Sequence, residues 1–351
     1  MLLYLLIFIF LFLCLGLKNK KHVKYICNAL LLLMLYMTAF RAETIGIDTH
    51  NYVDIFDSGY RLAAYVKEFL FSGFGLLVYN YNEDYRYFQV GMAIITYLPW
   101  FYLINKKTEN IAVALLLFVF STNRYFFETF NMMRQAAATP YLLITWFMLY
   151  EKKYIWSLIS FIIAVGFHTS SLFYVPIVFI AWKWHFKSKT INISMLATLV
   201  FAFLFANMGT ITKLVVMIIP AAFQESIGVE HYAGYRQELA RTTFGLLPML
   251  LPNAFIAFFY YAKHKENLLM RIFVVGAIFL NIIAVYPMSY RISYGVIALE
   301  IFLFPLLLND KSPNRKSLVF VLLCIVLFSL FDFFTTCNMG AASLVPYKKF
   351  L

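Results

Sequence analysis

A pair of polar residues, Arg134 and Gln135, stands at the start of an apolar stretch with the composition of a membrane helix. An ionisable side chain at such a place is costly unless it faces a cavity or a partner, so a functional role is the default interpretation. Arginine forks onto phosphates and carboxylates, which favours an anion-binding site. Arg124 and Glu128 belong to the same cluster. The structural alternative is that Arg134 snorkels to the surface or pairs with Glu128.

A second candidate for chemistry is His168, in the run Gly166-Phe167-His168-Thr169-Ser170-Ser171. Histidine titrates near neutral pH, so it can accept a proton from a sugar hydroxyl as a general base. Ser170, one of the small hydroxyl residues beside it, is a candidate substrate contact. The structural alternative is a helix-tip histidine that is hydrogen-bonded to local carbonyl groups.

Two further clusters carry polar residues next to apolar spans. Tyr290 and Arg291 precede one span, where Arg291 is either an anion ligand or an interfacial anchor. Arg41, Asp48 and Tyr52 follow another. No Asp-x-Asp motif occurs, so we expect no metal site, and the carboxylates would orient arginines or accept sugar hydroxyls. The absence of Walker, zinc and haem motifs predicts no cofactor.

The elements that position these residues must be membrane helices. The chain is 63% hydrophobic and only 13% charged, far outside the range of soluble domains. Apolar runs recur from the first residue to the last thirty, which predicts one multipass membrane domain over 1–351. The net charge of +12 comes mostly from loop lysines, so nucleic acid is not an expected partner.

Threading the apolar runs through a bilayer separates the lysines from most of the arginines. Lysines in short loops fix a cytoplasmic face. The residues on that side are Lys18, Lys20, Lys21, Lys24, Lys106, Lys107, Lys152, Lys153, Lys183, Lys187, Lys189, Lys263, Lys265, Lys311 and Lys316, with Arg271 and Arg315. The opposite side receives Arg41, Arg61, Arg86, Arg124, Arg134, Arg236, Arg241 and Arg291. Because topology does not require arginines there, the outer face is predicted to handle an anion.

The predicted fold is therefore all-α and polytopic, with about ten spanning helices of about 20 residues or somewhat fewer. The candidate spans are 2–17, 23–40, 86–104, 110–123, 135–150, 191–207, 244–261, 268–286, 291–308 and 317–334. Two long extracytoplasmic loops, 41–85 and 208–243, connect them. Each loop contains an apolar stretch that could lie in the membrane interface, and the stretch in the first loop is 62–78.

Residues 154–182 do not fit a single span, because basic residues flank them on both sides. One span would place one of these flanks outside. We therefore predict a hairpin of two short helices with its tip at 166–171. Each arm would reach only about 20 Å, which places His168 at the floor of an outward-facing cavity.

The clusters, taken in this order, resemble the EpsG family of exopolysaccharide proteins, which belongs with the Wzy-like O-antigen polymerases. The matching stretches are 39–41, 46–52, 131–138, 164–172, 290–294 and 344–348. The Arg134-Gln135 and Phe167-His168-x-Ser170 pieces are the most specific. Val165 and Gly166 are a minor departure from the small-then-hydrophobic pair that the family often has there.

The resemblance implies polymerisation of lipid-linked oligosaccharide repeat units at the outer face of the bacterial plasma membrane. The glycan would be transferred from undecaprenyl diphosphate without a metal. Arg134 and Arg291 would bind the diphosphate, Gln135 and Asp48 would orient substrate, and His168 would take the proton. The remaining candidate substrate-binding residues are Arg41, Tyr52, Arg124, Glu128, Ser170 and Tyr290.

Membrane lipid, a chain-length regulator and a flippase are the further partners that this function implies. Two other functions stay open on the sequence. A flippase for the same lipid-linked sugars would also need arginines in a cavity. A polysaccharide acyltransferase would use a histidine, but it would leave the arginine face without a reason.

Overall fold

A computed structural model describes residues 2–46, 48–59, 67–121, 125–205, 243–284, 289–309 and 314–338. The chain is all-α, as predicted. Its first helices are α1 (Leu2–Gly16), α2 (Lys20–Ala39), α3 (Thr49–Asp57), α4 (Phe69–Tyr81), α5 (Tyr85–Lys106), α6 (Ile111–Phe120), α7 (Tyr125–Asn131), α8 (Met133–Tyr150) and α9 (Tyr154–Phe167). A 3₁₀ turn (Thr169–Phe173) follows, and then α10 (Tyr174–Lys183), α11 (Ser188–Phe205), α12 (Thr243–His264), α13 (Leu268–Ile283), α14 (Ser289–Ile297), α15 (Glu300–Asn309) and α16 (Arg315–Asn338).

Among the described residues, three stretches are long and apolar enough to cross a membrane: Lys20–Ala39, Tyr85–Lys106 and Ile292–Asn309. A fourth crossing is possible if α6 and α7 form one span with a 44° bend. The chain is thus a multi-pass membrane protein. The other predicted spans coincide with helices that do not meet this test, and they stay predictions. Some are simply short, since the 15 residues of α1 reach only about 22 Å against a hydrocarbon core of about 30 Å.

Side-chain caps define where several helices begin. Asn19, Asp84, Asn110 and Asn267 each precede a helix and accept a hydrogen bond from a backbone N–H in its first turn. Asparagine and aspartate are the residues that cap helix N-termini best. The start of α4 is different, because Glu68 occupies the cap position there and its side chain makes no capping hydrogen bond.

Two compact units make up the chain, and the first comprises Met1–Ser171 and Ala298–Leu351. Its core contains a buried hydroxyl network, in which Thr38 Oγ1 lies 3.1 Å from both Tyr97 Oη and Thr129 Oγ1. This network joins α2, α5 and α7. Asn28 and Asn105 also exchange amide hydrogen bonds between α2 and α5. Interhelical hydrogen bonds of this kind hold helices together where the solvent is lipid.

The second unit is Leu172–Ile297. Asn281 Nδ2 donates to Thr198 Oγ1 at 3.0 Å, which joins α13 to α11. Arg271 is buried, and its Nε donates to the Ala181 carbonyl at 2.8 Å near the end of α10. A basic side chain at a helix C-terminus satisfies carbonyl groups that the helix leaves without partners. The prediction of a single membrane domain stays a prediction.

Residues 154–182 break where the sequence predicted a break. The α9 helix ends at Phe167, His168 takes an extended conformation, and the 3₁₀ turn separates α9 from α10. The first predicted outer loop, 41–85, contains α3 and α4. The second, 208–243, lies outside the described residues apart from Thr243, the first residue of α12.

Candidate functional site

A buried carboxylate connects Arg134 to His168. Glu68 Oε2 lies 3.0 Å from Arg134 Nη1, and Glu68 Oε1 lies 3.3 Å from His168 Nδ1. The Thr169 hydroxyl donates to Glu68 Oε1 at 3.5 Å. The Glu68 side chain is 6% exposed, whereas those of Arg134 and His168 are 33% and 24% exposed. The two partners therefore reach the surface of the site and the carboxylate lies behind them.

The start of α4 places Glu68 in this cluster. The Glu68 carbonyl accepts hydrogen bonds from Ser72 N at 2.9 Å and Ser72 Oγ at 2.5 Å, which fixes its backbone. Gly166 near the end of α9 lies against the first turn of α4. A Cβ on Gly166 would come within 2.6 Å of Leu70 Cγ and 2.8 Å of Phe69 Cζ. Only glycine allows this close approach of α9 to the residues that follow Glu68.

Arg134 stands at the second position of α8. The chain breaks between α7 and α8 at Met132, which has φ −110° and ψ 61°. A positive charge in the first turn of a helix opposes the helix dipole, so Arg134 needs compensation. Glu68 supplies a negative charge, the Tyr52 hydroxyl interacts with the guanidinium, and the Phe71 ring lies 5.9 Å from Arg134 Cζ.

His168 is fixed by the backbone at the end of α9. Its N–H donates to the Ala164 carbonyl at 2.9 Å, and its own carbonyl accepts from Ser171 N at 3.0 Å. The Ser171 hydroxyl also donates to the Ala164 carbonyl, at 3.3 Å. The extended conformation at His168 (φ −155°, ψ 110°) ends α9 and turns the imidazole toward Glu68.

The electrostatics of the cluster favour an ionised Glu68. Burial raises the pKa of its carboxyl group, but the hydrogen bond from His168 and the charges of Arg134 and His168 outweigh burial. The net effect lowers the pKa of Glu68 from 4.5 to about 2. At neutral pH the site therefore combines a guanidinium, a carboxylate and an imidazole.

Tyr52, Arg134 and His168 are the predicted site residues that the structure brings into this cluster. Ser170 lies half-buried in the adjacent 3₁₀ turn, two residues from His168. Gln135 follows Arg134 in α8 and is 7% exposed. These positions agree with the predicted clusters, and the roles of the residues stay predictions.

Asp48 and Glu128 belong to chain segments that lead to the cluster. Asp48 is half-buried immediately before α3, the helix that carries Tyr52. Glu128 is half-buried in α7, and its carbonyl accepts from Met132 N at 2.8 Å. Their substrate contacts stay predictions.

Arg41 does not lie on an exposed face. It is 0% exposed, and its Nη1 and Nη2 donate to the carbonyls of Thr38, at 2.6 Å, and Phe130, at 3.5 Å. Thr49 Oγ1 lies 3.3 Å from the same Phe130 oxygen. Gly46, at φ +93°, passes so close that a Cβ would lie 2.3 Å from it. We call Arg41, Gly46 and Thr49 around the Phe130 carbonyl the Phe130 junction. Arg41 joins backbone segments there, and its predicted substrate contact stays a prediction.

The remaining predicted site residues cannot be placed at side-chain level. Arg124 lies outside the described residues. Tyr290 and Arg291 belong to α14 in the second unit, where the structure describes only their backbone. Their predicted roles stay predictions.

The sequence analysis missed Glu68, Phe71 and Thr169 as members of the site. It treated 62–78 only as an apolar stretch for the membrane interface. The available signal was the lone carboxylate inside that stretch, since an acid beside an apolar helix is costly unless it has a partner. Among the described residues, no group of three or more His, Cys, Asp or Glu side chains could hold a metal ion.

The fold and the cluster together define a multi-pass, all-α membrane protein with an arginine–glutamate–histidine site. The EpsG family model matches residues 24–349, nearly the whole chain, so the protein belongs to the EpsG family. The family is implicated in exopolysaccharide synthesis. No curated protein and no solved structure matches the chain.

Proposed function

We propose that this protein polymerises lipid-linked oligosaccharide repeat units by glycosyl transfer from undecaprenyl diphosphate, at the outer face of the plasma membrane. The observation that carries the proposal is the position of Arg134 and His168 on the two oxygens of one carboxylate. A cation for a departing phosphate and a base for an attacking hydroxyl thus lie side by side. Membership of the EpsG family supports the same chemistry.

On the donor side, Arg134 binds the diphosphate. One guanidinium nitrogen donates to Glu68, and a third of the side chain stays exposed, so other N–H groups can reach a phosphate oxygen. As the bond between the anomeric carbon and the phosphate oxygen breaks, the diphosphate gains a negative charge. A guanidinium that is already fixed in place stabilises that charge.

On the acceptor side, His168 accepts the proton of the attacking sugar hydroxyl. The hydroxyl oxygen forms a bond to the anomeric carbon, its proton passes to the imidazole and then to solvent, and polyprenyl diphosphate leaves. A diphosphate is a good leaving group, so this scheme needs no acid catalyst. General-base assistance of this kind contributes roughly 10²–10⁴-fold to a rate.

The other predicted residues complete the proposed site. Gln135 and Asp48 orient the sugars, and the role of Arg291 as a second phosphate ligand stays a prediction from the sequence. Tyr52 is buried beside Arg134, and its hydroxyl helps to hold the guanidinium in place.

The test is a reconstitution of the purified protein with lipid-diphosphate-linked repeat units, with and without EDTA, read as a glycan ladder on a gel. The proposal predicts a ladder of equal length and intensity in both samples. A ladder that EDTA abolishes would contradict the metal-independent scheme. No ladder, together with movement of the lipid between the leaflets of liposomes, would show a flippase instead of a polymerase.

A further inference from the structure

Glu68 is an unusual residue for its position. It occupies the cap position of α4 without capping the helix, and it is 5% exposed. Burying an ionised carboxylate is costly unless charged or hydrogen-bonding partners compensate. Glu68 has such partners on both oxygens, and both are residues of the proposed transfer site.

We infer that Glu68 is a positioning residue of the transfer site, which fixes the tautomer of His168 and holds Arg134 beside it. This inference rests on the proposed function. Glu68 is too deeply buried to be placed against the sugar hydroxyl, so it acts through its two partners.

The tautomer follows from the geometry. An ionised carboxylate can only accept hydrogen bonds, so His168 Nδ1, 3.3 Å from Glu68 Oε1, must carry a proton. A neutral imidazole that is protonated at Nδ1 has its lone pair on Nε2, on the side of the ring away from Glu68. The ring is thereby set to accept a proton from the acceptor hydroxyl at Nε2. Carboxylates orient histidines in the same way in hydrolases and in metal sites.

The carboxylate also sets the distance between the base and the cation. Oε1 accepts a hydrogen bond from His168 and Oε2 accepts one from Arg134. The imidazole and the guanidinium are therefore held next to each other by the same carboxylate. A glutamine at this position replaces one of the two acceptor oxygens with an NH2 donor, so one of the two partners faces a donor where it had an acceptor.

The charge of the cluster changes in step with the proposed reaction. In the form of the site that is competent for transfer, Arg134 and Glu68 neutralise each other and His168 is the neutral base. When His168 accepts the hydroxyl proton, the cluster gains one positive charge while the leaving diphosphate gains one negative charge. Glu68 stabilises the imidazolium without taking its proton, as the orienting aspartate does in serine proteases.

The test compares Glu68→Gln with the matched control Glu109→Gln, which changes an exposed glutamate between α5 and α6. We expect Glu68→Gln to lower kcat by about 10²-fold or more, with a smaller change in KM, because a misoriented imidazole is a poor base. The control should match the wild type. Equal activity of both variants would overturn the inference and leave the polymerase proposal standing.

The pH profile separates positioning from a structural role. The ionisable groups nearest to His168 are Glu68 before α4 and Arg134 in α8, with Tyr52 of α3 beyond Arg134. Since the carboxylate stabilises protonated His168, its loss should move the acidic limb of the pH–rate profile to lower pH. A uniform loss of rate with an unchanged profile would contradict the inference.

A measurement that needs no activity covers the case in which Glu68→Gln is inactive or the substrate is wrong. In protein labelled with ¹⁵N-histidine, the His168 resonance is identified by its loss in His168→Gln. We expect the Nδ1-protonated tautomer in the wild type and a shift toward the Nε2-protonated tautomer in Glu68→Gln. The same tautomer in both proteins would overturn the inference, whether or not the wild type makes a ladder.

Discussion

Arg41 and Arg134 occupy two contrasting environments in the same unit. Arg41 is fully buried in the Phe130 junction and donates to backbone carbonyls. Arg134 is one-third exposed and pairs with a carboxylate that also holds a histidine. Arg41 follows an apolar helix and Arg134 begins one, so the sequence alone assigns both arginines to the same kind of site. The structure shows that Arg41 joins backbone segments and that Arg134 keeps a third of its side chain exposed.

The two environments are also connected. Phe130, whose carbonyl accepts from Arg41, lies four residues before Arg134, near the break between α7 and α8. The Phe130 junction therefore holds the chain just ahead of the helix that presents Arg134. The comparison teaches that an arginine in an apolar protein is informative only once its partners are known. Carbonyl partners indicate architecture, and a shared carboxylate indicates a site.

Of the two arginines, Arg134 has the larger expected effect on activity when it is replaced, in Arg134→Lys. Lysine keeps a positive charge near Glu68 but lacks the planar fork that matches a phosphate. We expect polymerisation to fall on the order of 10²-fold, as when one preorganised donor to a developing anion is lost. The measurement is ladder formation at equal amounts of folded protein. Wild-type activity in this variant would remove Arg134 from the proposed site.

The second effect is a loss of stability in acid that depends on Glu68. Its pKa is lowered to about 2 in the folded protein from a usual value of 4.5. The lowered pKa contributes on the order of 3 kcal/mol to the free energy of unfolding. This contribution is complete above about pH 4.5 and is lost as the pH falls toward 2. Denaturation midpoints in detergent should therefore fall more steeply over this window in the wild type than in Glu68→Gln. Parallel curves would show that Glu68 carries no such shift.

Arg41→Lys should give the opposite pattern to Arg134→Lys. A lysine cannot reach the Thr38 and Phe130 carbonyls with the same fork, so a buried acceptor loses its donor. The cost is about 1–3 kcal/mol of unfolding free energy. We expect a lower thermal midpoint in detergent but near wild-type activity per folded molecule. A stable but inactive Arg41→Lys protein would contradict the structural role that we assign to Arg41.

A predicted effect of similar size to that of Arg41→Lys tests the Phe130 junction at its glycine. Gly46→Ala adds a Cβ that would lie 2.3 Å from the Phe130 oxygen, at a backbone φ of +93°. We expect a loss of about 1–3 kcal/mol, because alanine is strained in that conformation. Gly16→Ala is the matched control, since a Cβ there meets nothing within 4 Å. Its stability should change by no more than about 1 kcal/mol in either direction.

Local signals in the sequence predicted the helical fold and the break in the chain at His168. The basic residues on both flanks of 154–182 require a break, and α9 ends where that break was expected. Arg134 was identified because it stands at the start of an apolar helix. Glu68 could not be assigned in the same way, because its partner His168 is 100 residues further along the chain.

The burial of Arg41 likewise could not be predicted from the sequence. An arginine that follows a membrane helix can extend into water or fold back onto the last carbonyls of the helix. The choice depends on Gly46 and Thr49 meeting Phe130, and these contacts form only when α2, α3 and α7 pack together. Whether such an arginine is buried depends on contacts between segments that are distant in the sequence, and a local sequence pattern does not indicate these contacts.

The most direct test of the proposed chemistry measures polyprenyl diphosphate release together with the number of glycosidic linkages formed. The account predicts one diphosphate released for each linkage in the wild type, and a parallel loss of both products in Arg134→Lys and His168→Gln. Linkages without diphosphate release, or both products at wild-type rates in these two variants, would contradict it.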